Sequence, residues 1–271
     1  MSIRNVLKPL TPPILLSLYK KLTSKNVSYT GNFKTWQDAA DKSTGWDQAA
    51  IFEKVSASAK QVKEGKVAYE RDSVIFDNIQ YAWPLLACLE HIALADNHLS
   101  LIDFGGSLGT TYFQNRHFLQ PITSLKWYVV EQPHYVECGK REFEDQHLKF
   151  EHSIEDVIKN KSINCLLVSG TIQCLEHPAE WLQKFQTHHF EYILFDRTSF
   201  IDDDERISII TVPEHIYPAS LPCWFFNEKQ FINHFKSKYE LIANFDSADV
   251  SIVSSDNKKL YWKGFFFKLR R

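Results

Sequence analysis

One stretch constrains this chain more than any other: Ser100-Leu101-Ile102-Asp103-Phe104-Gly105-Gly106-Ser107-Leu108-Gly109-Thr110-Thr111-Tyr112-Phe113. A short apolar run closes on an acid, a turn with three glycines follows, and the residues after it suit a helix. A parallel strand hands its chain to a helix in this way beneath a bound ligand. Glycine lets the backbone approach a ligand closely and tolerates φ > 0 in the turn. The helix start adds unpaired N–H groups and the positive end of its dipole.

Three chemistries compete for the loop. A dinucleotide site wants G-x-G-x-x-G, but from Gly105 onward Ser107 and Thr110 stand where the second and third glycines belong. A hydrolase nucleophile elbow wants G-x-S-x-G, which Gly105, Ser107 and Gly109 match. An S-adenosylmethionine site wants an acid two residues before the first glycine and glycines spaced by two. Asp103, Gly105 and Gly109 supply that pattern, with Ser107 in the middle glycine position. The loop does not choose between the last two.

From Leu99 onward the chain alternates strands and helices. Apolar runs at 99–104, 126–131, 148–150, 164–169 and 191–196 read as strands, and several end on an acid or a small residue. Strands apolar throughout are buried on both faces, which predicts a parallel sheet covered by helices. After a helix over 228–235, segments 239–245 and 261–269 read as a closing antiparallel hairpin. The fold class is therefore α/β: a doubly wound, Rossmann-like, seven-stranded and mostly parallel sheet. Residues 1–98 read as a mostly helical extension or cap, and 99–271 as the core domain. Within the extension, Thr35-Trp36-Gln37-Asp38 has the spacing of a helix cap, 46–64 reads as a helix stopped by Gly65, and Ile75, Ile79, Trp83, Leu86 and Leu89 suit another.

Charge and cysteine usage exclude several classes. The net charge of −2 and the lack of a basic-aromatic surface argue against nucleic acid. The five cysteines are scattered without a C-x-x-C pair, which argues against a disulfide framework or structural zinc and fits a reducing compartment. The Asp202-Asp203-Asp204-Glu205 run lacks the spaced ligands of a calcium loop and reads as a solvated loop, so no metal is expected. No apolar run is long enough to span a membrane, so a cytoplasmic location is expected. Residues 1–37 carry six basic residues and no acid, and Ile14, Leu15, Leu18 and Leu22 recur at helical spacing. Such a helix suits either peripheral contact of residues 1–25 with an anionic membrane, or packing on its own domain or on the second subunit of a homodimer.

Glu131, at the end of the second strand, is placed where a carboxylate can accept hydrogen bonds from a ribose diol. Together with Asp103-Phe104-Gly105-Gly106-Ser107-Leu108-Gly109 and Ser169-Gly170-Thr171-Ile172-Gln173-Cys174-Leu175-Glu176-His177-Pro178, it resembles the successive motifs of class I S-adenosylmethionine-dependent methyltransferases. The likeness covers about residues 99–271. More narrowly, Tyr69–Phe76 and Ile216-Tyr217-Pro218-Ala219-Ser220-Leu221-Pro222-Cys223-Trp224 resemble methyltransferases associated with bacterial surface-polysaccharide gene clusters.

The resemblance implies S-adenosylmethionine as cofactor and a small or sugar-containing acceptor. It also implies roles. Gly105, Gly106 and Gly109 line the methionine moiety, with Ser107 between them in the cofactor-binding loop, and Asp103 either fixes the loop or meets the methionine ammonium through water. Glu131 holds the ribose hydroxyls, Ser153 and Ile154 flank the adenine, and Ser169 and Gly170 lie under the sulfonium. For the acceptor, Tyr69 and Arg71 face in from the extension, Arg197 meets an anionic group, and Tyr217 and Trp224 stack on a ring. His215 is the candidate base, because a hydroxyl acceptor must lose a proton. Two other readings stay open: an NAD(P)-dependent oxidoreductase, and a catalytically silent methyltransferase-like binding subunit. The hydrolase reading keeps Asp196 and His215 in the right order after Ser107, but lacks an oxyanion segment upstream.

Overall fold

The computed structural model describes residues 27–45, 49–213, 216, 219–247, 252–254 and 256–271. The basic segment 1–25 and the candidates His215 and Tyr217 lie outside these residues.

The chain enters as strand β1 (Ser28–Phe33), then helices α1 (Trp36–Ala40) and α2 (Ala49–Lys63). A short hairpin of β2 (Tyr69–Arg71) and β3 (Val74–Phe76) leads to α3 (Trp83–Asp96). The core follows: β4 (Leu99–Phe104), α4 (Thr110–Leu119), β5 (Leu125–Val130), α5 (Pro133–Glu142), β6 (Leu148–Glu151), α6 (Ile154–Ile158) and β7 (Cys165–Ser169). It continues with α7 (Pro178–Thr187), β8 (Tyr192–Ile201), β9 (Arg206–Val212), β10 (Ala219–Phe225) and α8 (Glu228–Phe235). It ends in β11 (Tyr239–Asp246), β12 (Ile252–Val253) and β13 (Lys259–Leu269).

The main sheet runs β11-β13-β8-β7-β4-β5-β6, with β12 paired to β13. The strands from β8 to β6 are parallel, and β13 is antiparallel to both β8 and β11. This is the doubly wound, mostly parallel sheet that the sequence predicts. The chain lays down β4, β5 and β6 in one direction, then returns to place β7 on the other side of β4. Ligands in such sheets bind beyond the carboxyl ends of the strands where the order reverses.

Alternation along each strand divides the core into two layers. Leu101, Trp127, Val129 and Leu167 face one apolar cluster with residues of α2 to α5. Ile102, Phe104, Tyr128, Leu166 and Val168 face the other, which α6, α7 and α8 complete. Local signals mark the helix starts. Thr35 caps α1 by accepting from the N–H of Asp38, Ser153 caps α6 through Asp156, and Asn227 caps α8. Gly65, at φ +71, follows α2 as read from the sequence.

The N-terminal third differs from the mostly helical reading. β1 pairs antiparallel with β9, which pairs with β10, so residues 28–33 form a second, three-stranded sheet with a segment almost two hundred residues away. The stretch from Tyr69 to Phe76 is a hairpin, and helix begins only at Trp83, with Pro84 in its first turn. A two-residue turn, Asp72-Ser73, has both residues at positive φ and closes the hairpin, and Tyr69 stacks on Phe76 at 5.6 Å. Ala219–Phe225, with Pro222 and Trp224, is strand as well. No described helix is long and apolar enough to cross a membrane.

Gly264 marks where β13 meets β8. A Cβ there would stand 2.2 Å from the Phe245 ring and 2.8 Å from the carbonyl oxygen of Phe195. Backbone cannot give as a side chain can, so Gly264→Ala is expected to lower unfolding free energy by about 1–3 kcal/mol, as overpacked cores do. Urea unfolding checks this, and an unchanged midpoint would contradict the packing described.

Candidate functional site

The carboxyl ends of β4, β5 and β7 converge on one place beside the middle of β8, and each of the four strands brings a polar group. β4 delivers Asp103, 1% exposed, whose Oδ2 accepts the indole N–H of Trp127 at 3.0 Å. Its Oδ1 has no hydrogen-bond partner among the described residues. Burial pushes this carboxyl up to about 7, the Trp127 bond works against the shift, and the charge of Glu131 adds to it. Gly106 passes directly over the carboxyl, because a Cβ on it would lie 2.5 Å from Asp103 Cγ. Gly105, at φ +75, is crowded in the same way by the side chain of Thr171 from the β7 loop. The glycine turn is thus fixed by its own neighbours, with backbone facing the space beyond the strands.

Ser107 takes the middle position at φ +53, a left-handed conformation that a glycine would adopt without strain. Its N–H donates to Oε1 of Glu131 at 3.3 Å. The other carboxylate oxygen accepts the N–H of Gln132 at 2.7 Å. Glu131 therefore sits half-buried at the end of β5, anchored by two backbone donors, with lone pairs left for further hydroxyl donors. Burial raises its affinity for a proton, and the two N–H bonds oppose that. Gly109, at φ +86, begins α4. Among the described residues no histidine bonds to Ser107.

On the β7 side, Gly170 donates its N–H to the carbonyl of Asp196 at 2.9 Å. The Asp196 carboxylate, 3% exposed, accepts from Ser247 at 3.1 Å and Ser169 at 3.4 Å. Ser169, Gly170, Asp196 and Arg197 are thereby locked as one unit facing the glycine turn.

The β2–β3 hairpin covers this edge, and here the structure adds a residue the sequence reading passed over. Glu70, 2% exposed, accepts from the hydroxyl of Thr110 at the start of α4 and from the N–H of Ser73 at 3.2 Å. Burial pushes its carboxyl up to about 7, and the charge of Asp72 adds to that. Asp72 reaches Arg197 across the same edge at 3.3 Å. Tyr69 is buried, its phenol pushed up to about 12 chiefly by burial, and Arg71 is half-buried beside it. Tyr135, on α5, is half-buried, and its phenol is raised first by burial and then by the charges of Glu131, Asp72 and Glu70.

Ser153 is spent on capping, its hydroxyl engaging Asp156, and Ile154 is 1% exposed in the core layer below α6. Trp224 lies on β10 with Trp36 at 6.5 Å and Phe226 at 6.3 Å, both rings nearly parallel to it. It borders a separate cavity of about 240 Å³ with Glu176, His177, Glu205, Phe226 and His234. In the acidic loop, Asp203 pairs with Lys258. Among the described residues no group of three His, Cys, Asp or Glu side chains is placed to hold a metal ion.

No family model matches the sequence, and no match was found among curated proteins. Among solved structures, the chain is similar to LepI in complex with SAM, at 12% identity and TM-score 0.50, over 95% of this chain and 62% of that one. It thus spans under two thirds of the LepI chain. A S-adenosylmethionine-dependent methyltransferase from Clostridium acetobutylicum ATCC 824 aligns at 10% identity and TM-score 0.45, over 81% of this chain and 99% of that one. A Burkholderia thailandensis 1,6-didemethyltoxoflavin-N1-methyltransferase aligns at 10% identity and TM-score 0.46, over 92% of this chain and 98% of that one. At such identities the likeness is one of fold alone: the chain has a doubly wound, Rossmann-like sheet similar to that of LepI.

Proposed function

We propose that the protein is an S-adenosylmethionine-dependent methyltransferase acting on a small or sugar-containing acceptor. One observation carries this reading. A carboxylate anchored by the glycine turn (Glu131), a buried carboxyl with an unpartnered oxygen (Asp103) and two close-packed glycines meet at the switch point of the sheet. These groups fit a cofactor that has a sugar diol, an amine and a permanent positive charge. Glu131 would accept the ribose hydroxyls, the turn from Gly105 to Gly109 would hold the methionine portion, and Ser169 and Gly170 would lie beneath the sulfur.

S-adenosylmethionine, when bound, supplies a methyl group on a positively charged sulfur. The protein has then to align an acceptor atom in line with that methyl, keep water out and take up a proton. The β2–β3 hairpin, pinned through Glu70 and Thr110, supports the role of cover. Tyr69, Arg71, Arg197, Tyr217 and Trp224 are the residues we assign to the acceptor, and His215 to its proton. The likeness of 69–76 and 216–224 to methyltransferases of surface-polysaccharide clusters favours a sugar-containing acceptor.

Calorimetry with S-adenosylhomocysteine, NAD and NADP tests the assignment. Only the adenosyl ligand is expected to bind, and at a hundred times its dissociation constant it should stabilise the fold by about 2.7 kcal/mol. Binding of the nicotinamide cofactors alone would overturn it. Glu131→Gln should weaken S-adenosylhomocysteine about tenfold to a hundredfold, as loss of charge-assisted hydrogen bonds does, whereas an unchanged affinity would remove Glu131 from the site. His215→Gln should lower kcat and leave cofactor affinity alone, and an unaltered kcat would dismiss it as the base.

The raised carboxyls also set a pH dependence. Asp103 and Glu70, pushed up to about 7, are largely protonated below that pH and offer little to a cation. Above it they ionise, so affinity for S-adenosylmethionine should rise through pH 6–8 more steeply than affinity for its uncharged-sulfur product. In the free protein the same shifts act the other way. The folded state holds protons that the unfolded chain releases above about pH 4, so these two groups make stability fall from about pH 4 to 7, by at most ~1.4 kcal/mol per pH unit each. Asp103→Asn should remove its share of both slopes in parallel titrations, and identical slopes in wild type and variant would contradict the assignment.

A further inference from the structure

Arg197 interrupts β8 at a bulge. Phe195 pairs with Phe265 and Thr198 with Lys263, so Asp196 and Arg197 together face the single residue Gly264. Arg197 adopts φ +52, a conformation non-glycine residues avoid. It is held there from two sides, its N–H donating to Ser247 Oγ at 2.9 Å and its carbonyl accepting Gln173 Nε2 at 3.0 Å. Bulges beside active sites re-aim side chains. This one brings the guanidinium over the β7 loop, where Nη1 lies 3.8 Å from the place a Cβ of Gly170 would occupy.

Nη2 donates to Asp72 at 3.3 Å. Asp72 sits in the two-residue turn of the hairpin at φ +51, beside Ser73 at φ +67. Both ends of this ion pair therefore rest on strained backbone, which accumulates where function requires it. The pair itself is long and open to solvent, with side chains 28% and 58% exposed. Such a pair adds little to stability, so stability does not account for the strain. Besides Asp72, the charge of Arg197 acts on the buried Glu70 and Tyr69 of the hairpin, and a planar cation fork is suited to taking an oxyanion.

We propose that Arg197 is the anion-recognition residue of this site. It takes a carboxylate or phosphate group of a ligand, and Asp72 is a resting counter-ion, displaced when that anion arrives. The methyltransferase reading enters only in naming who carries the anion: the methionine carboxylate of the cofactor, or an acidic group on the acceptor.

The test titrates the full chain with inorganic phosphate and with acetate at constant ionic strength, using chloride as control. Asp72→Asn removes the competing charge and should bind the probe anion about tenfold tighter than wild type. Arg197→Gln should lose that binding and Arg197→Lys keep part of it. An ion pair that only braces the hairpin predicts the opposite sign: Asp72→Asn gains no anion affinity and is merely less stable, and that result overturns the proposal. If Arg197→Gln folds poorly, the Asp72→Asn comparison decides alone. S-adenosylhomocysteine and its decarboxylated analogue separate the two sources. If the cofactor supplies the anion, Arg197→Gln weakens S-adenosylhomocysteine at least tenfold and spares the analogue. If the acceptor does, both nucleosides bind Arg197→Gln as they bind wild type, while phosphate or acetate no longer binds the nucleoside complex. Equal weakening of both nucleosides counts against a role in anion recognition. Should wild type bind neither nucleoside, the methyltransferase reading falls, and the anion titration without nucleoside still decides this one.

Discussion

The site depends on a single buried contact, the Asp103 carboxyl beneath Gly106 with one oxygen bonded to the Trp127 indole. Trp127 is fully buried on β5, next to β4 in the sheet, so the bond ties the second strand to the end of the first. A carboxyl placed in such a poorly solvated position is costly unless partnered. One partner is present and one oxygen is left over. The arrangement is suited to a site that completes itself with a ligand, and a close-packed glycine is what lets the turn lie against the carboxyl.

Strain is gathered around the same edge. Of the seven non-glycine residues at positive φ among those described, Asp72, Ser73, Ser107 and Arg197 surround it. Ser73 is held within its hairpin by Glu70, whereas Ser107 is held by Glu131, and Asp72 and Arg197 by one another, across elements. The surrounding packing over-determines these conformations, as a pre-organised site requires. The hairpin, the glycine turn and the β8 bulge are thus coupled pieces of one surface, although they lie far apart in sequence.

The parallel core was legible in the sequence because its strands are buried on both faces, and burial writes itself as unbroken runs such as Leu99–Phe104 and Cys165–Ser169. Asp103, Glu131 and Gly170 were legible for the same reason: each ends such a run. The hairpin was not. Its turn uses Asp72-Ser73 where Asn-Gly would announce positive φ, and Ile75, Ile79 and Trp83 mimic a helical period across what is a strand, a loop and a helix start. Glu70 was hidden by that error, since only pairing with β3 and contact with Thr110 bring its carboxylate inside. β10 was not read as a strand, and it holds Pro222 within it; on the edge of its sheet, proline removes no essential hydrogen bond. The pairing of β1 with β9 spans so much sequence that no local pattern could encode it.

The central claim is that a nucleoside with a charged sulfur sits where β4, β5 and β7 end. The most direct measurement is a crystal structure of the full chain grown with S-adenosylhomocysteine. The account predicts the ribose hydroxyls on the Glu131 carboxylate, the methionine portion along Gly105 to Gly109, and the sulfur above Gly170. A nucleoside bound elsewhere, or one in that crevice with Glu131 turned toward solvent, would contradict it.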